Sequence, residues 1–188
     1  AKICFARSPE TFEAYLALEP VVAAGPEALS EVIGLSLASK KWFLEIDEFD
    51  QAERLLLNYG HTFGHAIESA SDFRLSHGIA VGLGMMAAGA MSRSLGRVAV
   101  GDGPTARFEA HIDGLLLQMP ELGPLVADLS SDRLIAAFRS DKKHTADTFA
   151  VVLPLAAGGV ERVDLGRGPE TEALIQTAFD QMKARYAA

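Results

Sequence analysis

Arg54-Leu-Leu-Leu-Asn58-Tyr-Gly60-His61-Thr-Phe-Gly64-His65-Ala-Ile-Glu68, followed by Ser76-His77-Gly-Ile-Ala-Val81, is the most informative part of this chain. Positions 54, 58, 61, 65 and 68 step by four, three, four and three, so on a helix they share one face. The pattern predicts a helix from Glu53 to about Asp72, with Arg, Asn, His, His and Glu in one stripe flanked by Leu55-Leu56-Leu57 and Ala66-Ile67. Gly60 and Gly64 each cost such a helix about 1 kcal/mol relative to Ala. Their presence beside the histidines implies close approach by a ligand or a second helix. His77 to Leu95 predicts that second helix, rich in Gly, Ala and Met, with Ile79 to Ala90 buried.

Imidazole is the commonest side-chain ligand for zinc, and a catalytic zinc usually takes three protein ligands and leaves a position open. His61 and His77, on adjacent helices, are in a position to converge. His65, one turn beyond His61, is either a third ligand or an anion-binding partner. Glu68 is expected to orient His65 or His61 as a hydrogen-bond acceptor. A polar seam between packed helices is the bland alternative, and an all-α metal hydrolase would use the three histidines together.

Outward from this segment, Ser8-Pro9-Glu10 reads as an N-cap with proline at the first helical position, opening a helix to about Leu18. Gly25-Pro26-Glu27 starts a long run toward Phe43, and acidic Glu45 to Asp50 reads as a surface loop. Gly101 to Pro104 is a break, and Thr105 to Met119 and Asp132 to Ser140 are helical. Thr148 to Leu153 and Val160 to Leu165, joined through Gly158-Gly159, predict a hairpin. Pro169 to Tyr186 closes the chain as a helix. The expected fold is mainly α, with one small β-hairpin, in a single domain over 1–188.

The 188 residues carry a net charge of −8, 49% hydrophobic and 22% charged side chains. Those are globular values with enough apolar material for a core. No Lys/Arg stripe stands out, which argues against a nucleic-acid partner. No run approaches the ~20 apolar residues of a membrane span, and no signal peptide is visible. The single cysteine, Cys4, excludes an internal disulfide framework and fits a cytoplasmic location. The chain opens Ala1-Lys2-Ile3 inside a helical pattern, which points to a start other than the natural one.

A second group is basic: Lys40-Lys41, Arg54, and Asp141-Lys142-Lys143-His144 before the first strand. Cations also dress helix C-termini. Brought together, guanidinium pairs with a carboxylate and ammonium acts as a point charge on phosphate, which suits a small substrate carrying two anionic groups.

The stretch Asn58 to Glu68, the stretch Ser76-His-Gly-Ile-Ala-Val-Gly-Leu-Gly-Met85, Lys40 followed by Asp47-Glu48 and Arg54, and Asp141-Lys142-Lys143 resemble the C-terminal domain of the 3-dehydroquinate synthase group of sugar-phosphate cyclases. Ser8-Pro-Glu-Thr-Phe12 after Lys2 resembles the start of that helical domain, so the likeness covers nearly the whole chain. It implies His61 and His77 as zinc (or cobalt) ligands, with a third ligand, a glutamate, upstream of Lys2. It implies Lys40, Arg54, Asn58, His65 and Lys142 as the substrate site; either lysine of the Asp-Lys-Lys motif aligns, and Lys142 is carried over. Asp50 stands where the family usually has glutamate.

The resemblance also implies the reaction: NAD-dependent conversion of 3-deoxy-D-arabino-heptulosonate 7-phosphate to 3-dehydroquinate and phosphate, a lyase step of the shikimate pathway leading to aromatic amino acids. It further implies an N-terminal NAD-binding domain, absent from this chain, and a homodimer. The alternatives are another sugar-phosphate cyclase, of the 2-deoxy-scyllo-inosose or valiolone type, and a non-catalytic helical metal-binding domain.

Overall fold

Ser8 divides the first two helices, α1 (Lys2–Arg7) and α2 (Pro9–Ala17): its side chain accepts the Thr11 N–H at 3.1 Å, and Pro9 follows where a missing N–H costs nothing. The computed structural model describes residues 1–18, 26–99, 101 and 103–187. Gly25 of the expected second start, and residue 102 of the expected break, lie outside them. α3 (Pro26–Ile46) runs past Phe43 and takes in Glu45, which the sequence placed in a loop. The chain leaves α3 at Asp47, whose buried carboxylate accepts the backbone N–H groups of Gln51 (3.0 Å), Ala52 (2.8 Å) and Arg54 (3.0 Å).

The expected helix from Glu53 to Asp72 is corrected. Glu53–Asn58 is a 3-10 helix, the chain breaks at Tyr59-Gly60, and α4 begins afresh at His61 (His61–Ala70). Gly60 sits at φ 75°, a left-handed conformation that ends one helix and starts the next at little cost only for glycine. The cause is α5 (His77–Ser94), which crosses α4 in direct backbone contact. A Cβ on Gly84 of α5 would lie 2.2 Å from the Gly60 carbonyl oxygen and 2.6 Å from the Gly64 nitrogen.

α5 is the centre of the core. Every residue from Ala80 to Ser92 is buried, and α4, β1 and the later helices pack around it. This explains its Gly, Ala and Met composition: a helix apolar on all sides belongs inside. α6 (Pro104–Leu116), α7 (Leu122–Ala127) and α8 (Ser131–Arg139) follow, then β1 (Thr148–Pro154) antiparallel to β2 (Val160–Gly166), with Val151 opposite Val163. Gly158 and Gly159 turn the hairpin at φ 89° and 75°. α9 (Pro169–Tyr186) closes the chain, its Phe179 packed on Phe63 and Phe138. The result is the mainly α architecture with one hairpin. Leu29, Ile33, Leu37 and Leu44 expose an apolar stripe along α3. Among the described residues no helix is long and apolar enough to cross a membrane.

Candidate metal and substrate site

The α4–α5 crossing places His61 and His77, each the first residue of its helix, edge to face. Their ring centroids are 5.3 Å apart, with His65 at 5.6 Å from His61 and 6.1 Å from His77. All three imidazoles of the segment therefore meet, although the stripe that predicted this is carried by two elements instead of one.

Each ring has its Nδ1 against an oxygen: His61 against Tyr59 O (3.2 Å), His77 against Glu68 Oε2 (3.1 Å) and His65 against Asp141 Oδ2 (3.2 Å). With the protons assigned to Nδ1 by these acceptors, the Nε2 lone pairs are left for an outside partner. Lys2 and Lys143 ammonium groups also approach the Nδ1 atoms of His61 (3.3 Å) and His65 (3.4 Å), but both already donate at shorter range, to Leu57 O (2.5 Å) and Asp141 Oδ2 (2.6 Å). Burial, reinforced by Lys2, pushes the His61 imidazole down to about 4, so it is neutral at pH 7 as a metal ligand must be. The donor set thus fits a divalent cation. Glu68 orients His77, not His65 or His61 as the sequence suggested. His65, Glu68 and His77 also offer three donor atoms within 4.8 Å of one another.

Beside the histidines lies a cavity of about 260 Å³ lined by Lys2, Lys40, Asp50, Arg54, Asn58 and His61, with Ile3 and Leu57. Three cations face it from three elements: Lys2 from α1, Lys40 from α3, and Arg54 from the 3-10 helix. Asp47 fixes the loop that delivers Arg54 and Asp50, and the Arg54 guanidinium donates to Glu48 O at 3.0 Å. Burial and the neighbouring Lys40 bring the Lys2 ammonium down to about 8. Such a pocket is built to take an anion.

Residues 1–144 match the family described as 3-dehydroquinate synthase C-terminal. The chain belongs to this family. Its curated relatives include the 3-dehydroquinate synthase of Xylella fastidiosa, 34% identical over 151 residues (77% of this chain, 39% of the relative). That of Xanthomonas campestris is 35% identical over 144 residues (73% and 37%). The chain therefore spans about two fifths of the length of the relatives it matches. Among solved structures, 2-deoxy-scyllo-inosose synthase complexed with carbaglucose-6-phosphate, NAD+ and Co2+ superposes with a TM-score of 0.66 at 22% identity, over 84% of this chain and 43% of that one. The 2-epi-5-epi-valiolone synthase of Streptomyces hygroscopicus subsp. jinggangensis, with NAD+ and Zn2+ bound, gives 0.68 at 21% identity, over 98% and 49%. These two establish the shared helical fold.

In Asp141-Lys142-Lys143 the two lysines lie differently. Lys143 turns inward, paired with Asp141 at 2.6 Å and 3.4 Å from His65 Nδ1. Lys142 is exposed and lines a separate depression together with His65, Ser69, Ser140 and Asp141. Lys143 also lines a smaller cavity of about 130 Å³ with Asn58, Thr62 and Arg162, backed by Val151 and Val152 of β1. Asn58 is the wall between the two cavities. Sequence reasoning did not single out Lys2 or Arg162, which line the two cavities. The Asp-Lys-Lys motif signalled Asp141, whereas Arg162 lies on an exposed strand with nothing local to mark it.

Proposed function

We propose that this chain is the metal- and substrate-binding half of a 3-dehydroquinate synthase, converting 3-deoxy-D-arabino-heptulosonate 7-phosphate to 3-dehydroquinate and phosphate. The observation that carries the reading is the juxtaposition of three clustered imidazoles with a cavity walled by Lys2, Lys40 and Arg54. Arg54, held by Asp47, pairs with the substrate carboxylate, and Lys40 adds a second positive charge. Asn58, His65 and Lys143, in place of Lys142, hold the phosphate end. Lys2, with its ammonium near 8, exchanges a proton with a substrate hydroxyl close to neutral pH. His61 and His77 hold zinc or cobalt, His65 stays on the substrate, and the third ligand, a glutamate, comes from upstream of Lys2. When bound, the cation supplies Lewis-acid polarisation of a substrate hydroxyl and NAD supplies reversible hydride acceptance.

NAD in this reading sits on an N-terminal domain, and the apolar stripe beside Lys40 on α3 supports a covering body there. A homodimer and a cytoplasmic location accompany the reading; the buried, unpaired Cys4 is in keeping with the latter. The test is NAD-dependent phosphate release by the full-length protein, with bound metal measured in parallel. Loss of both metal and activity in His61→Ala and His77→Ala is expected; retention of metal and activity in both overturns the assignment. A panel with hexose and heptulose phosphates separates the 2-deoxy-scyllo-inosose and valiolone types, for which Asp50 leaves a shorter carboxylate in the cavity.

A further inference from the structure

We infer that Arg133, on α8 and outside both cavities, is a positioning residue for the Glu68–His77 pair; the inference rests on the metal reading above. The turn joining α4 to α5 holds two successive non-glycine residues in the left-handed region, Asp72 at φ 52° and Phe73 at φ 59°. Side chains disfavour this conformation, which persists only where the surroundings impose it. Packing does not impose it here, because Phe73 is 76% exposed. Backbone bonds at the end of α4 set it, Phe73 N–H to Glu68 O at 2.9 Å and Asp72 N–H to Ser69 O at 3.2 Å, and arginine braces it from α8. The Arg133 guanidinium grips both Asp72 carboxylate oxygens and donates to the Ser69 carbonyl at 3.2 Å, tying the turn to the end of α4. Arg74 secures the other side, donating to Ser71 O at 3.2 Å and to Asp128 at 3.1 Å.

The consequence falls on Glu68. Its carbonyl accepts the Phe73 N–H (2.9 Å) and the Ser71 hydroxyl (2.9 Å), while its carboxylate holds His77 Nδ1 at 3.1 Å. The turn therefore fixes Glu68 from one side and delivers His77 from the other. Release of Asp72 lets both ends relax. An exposed ion pair contributes little to global stability, but a bidentate grip specifies geometry.

Two readouts test this. In the metal-free protein, the 15N imidazole spectrum reports whether His77 keeps its proton on Nδ1, held by Glu68. Separately, titration with Co2+ alone, followed by visible absorption, reports affinity. Arg133→Ala is expected to scramble the His77 tautomer and weaken Co2+ about tenfold, the lower end of losses seen when a group behind a metal ligand is removed. Arg139→Ala is the control: it removes an equally exposed arginine of the same helix that makes a bidentate pair with Glu172 of α9, and both readouts should stay at wild type. Asp72→Gly together with Phe73→Gly in the Arg133→Ala background should recover both, since glycine adopts both left-handed positions of the turn unaided. The inference is overturned if Arg133→Ala leaves the His77 tautomer unchanged, if Arg139→Ala matches it, or if the glycines do not rescue. Failure of the wild type to bind Co2+ overturns the metal reading instead, and the tautomer measurement still decides the role of Arg133.

Discussion

Gly84→Ala puts the α4–α5 crossing to a direct test. The new Cβ would stand 2.2 Å from Gly60 O, 2.6 Å from Gly64 N and 3.0 Å from Gly64 Cα, all main-chain atoms that no rotamer change can move aside. Reaching even the shortest tolerable contact requires α4 to shift by about 0.8 Å from α5, in a core packed to near-crystalline density. Overpacking of this kind costs about 1–3 kcal/mol, at the upper end here because backbone meets backbone. Alanine returns at most about 1 kcal/mol in helix propensity. A net loss of about 2 kcal/mol corresponds to a Tm roughly 4–8 °C lower for a chain of this size. His61 and His77 ride on the two helices, so metal affinity should fall by roughly tenfold or more as their rings separate. The assay is thermal unfolding by circular dichroism beside Zn2+ titration against a chromophoric chelator. Gly34→Ala, on the exposed face of α3 with nothing within 4 Å, is the control and should raise Tm slightly. A Gly84→Ala protein with wild-type Tm and zinc affinity would refute the claim that glycine sets the ligand spacing.

His61→Ala and His77→Ala are each expected to abolish tight zinc binding, while His65→Ala keeps the metal and loses substrate affinity; equilibrium dialysis checks the first and KM the second, and metal loss in His65→Ala alone would favour the His65–Glu68–His77 set. Lys143→Ala should lower kcat/KM by at least ~100-fold, the removal of a charged contact worth about 3 kcal/mol, and Lys142→Ala by only a few-fold; the reverse ranking would return the role to Lys142. Burial holds His61, His111 and His144 below the ordinary histidine value of 6.5, His61 at about 4. The unfolded chain therefore takes up protons the folded chain refuses, and stability of the metal-free protein should fall as pH drops from about 6.5 toward 4. Urea melts at pH 7.5 and pH 5 measure this, and a flat profile would contradict it.

Much of this structure was legible in the chain because its signals are local. Ser8-Pro9, Gly158-Gly159 and Pro169 set element boundaries through backbone chemistry that depends on a few neighbouring residues. The same is true of the histidine stripe, whose spacing brought His61 and His65 to one side. What local reasoning missed was tertiary. The break at Tyr59-Gly60 exists because α5 presses against it, and the 3.6-residue periodicity continues across the break as though nothing happened. α7 is one and a half turns containing Gly123 and Pro124, too short for a period to register. The choice between Lys142 and Lys143, and the pairing of Glu68 with His77, depend on which way a chain emerges from a turn, and adjacent residues in such a place carry no pattern that separates them.

His77 stands at the entrance of a helix whose next turns are wholly enclosed, with a side chain that is itself 58% exposed. As a proposed ligand it stands at the surface of this chain, while its anchorage belongs to the enclosed core. Ion exchange can then proceed at the surface without loosening the interior, whereas heating should release the ion only in step with collapse of the whole helical core. Chelators and temperature would in that sense act on the same histidine by unrelated routes, one quick and reversible, the other cooperative.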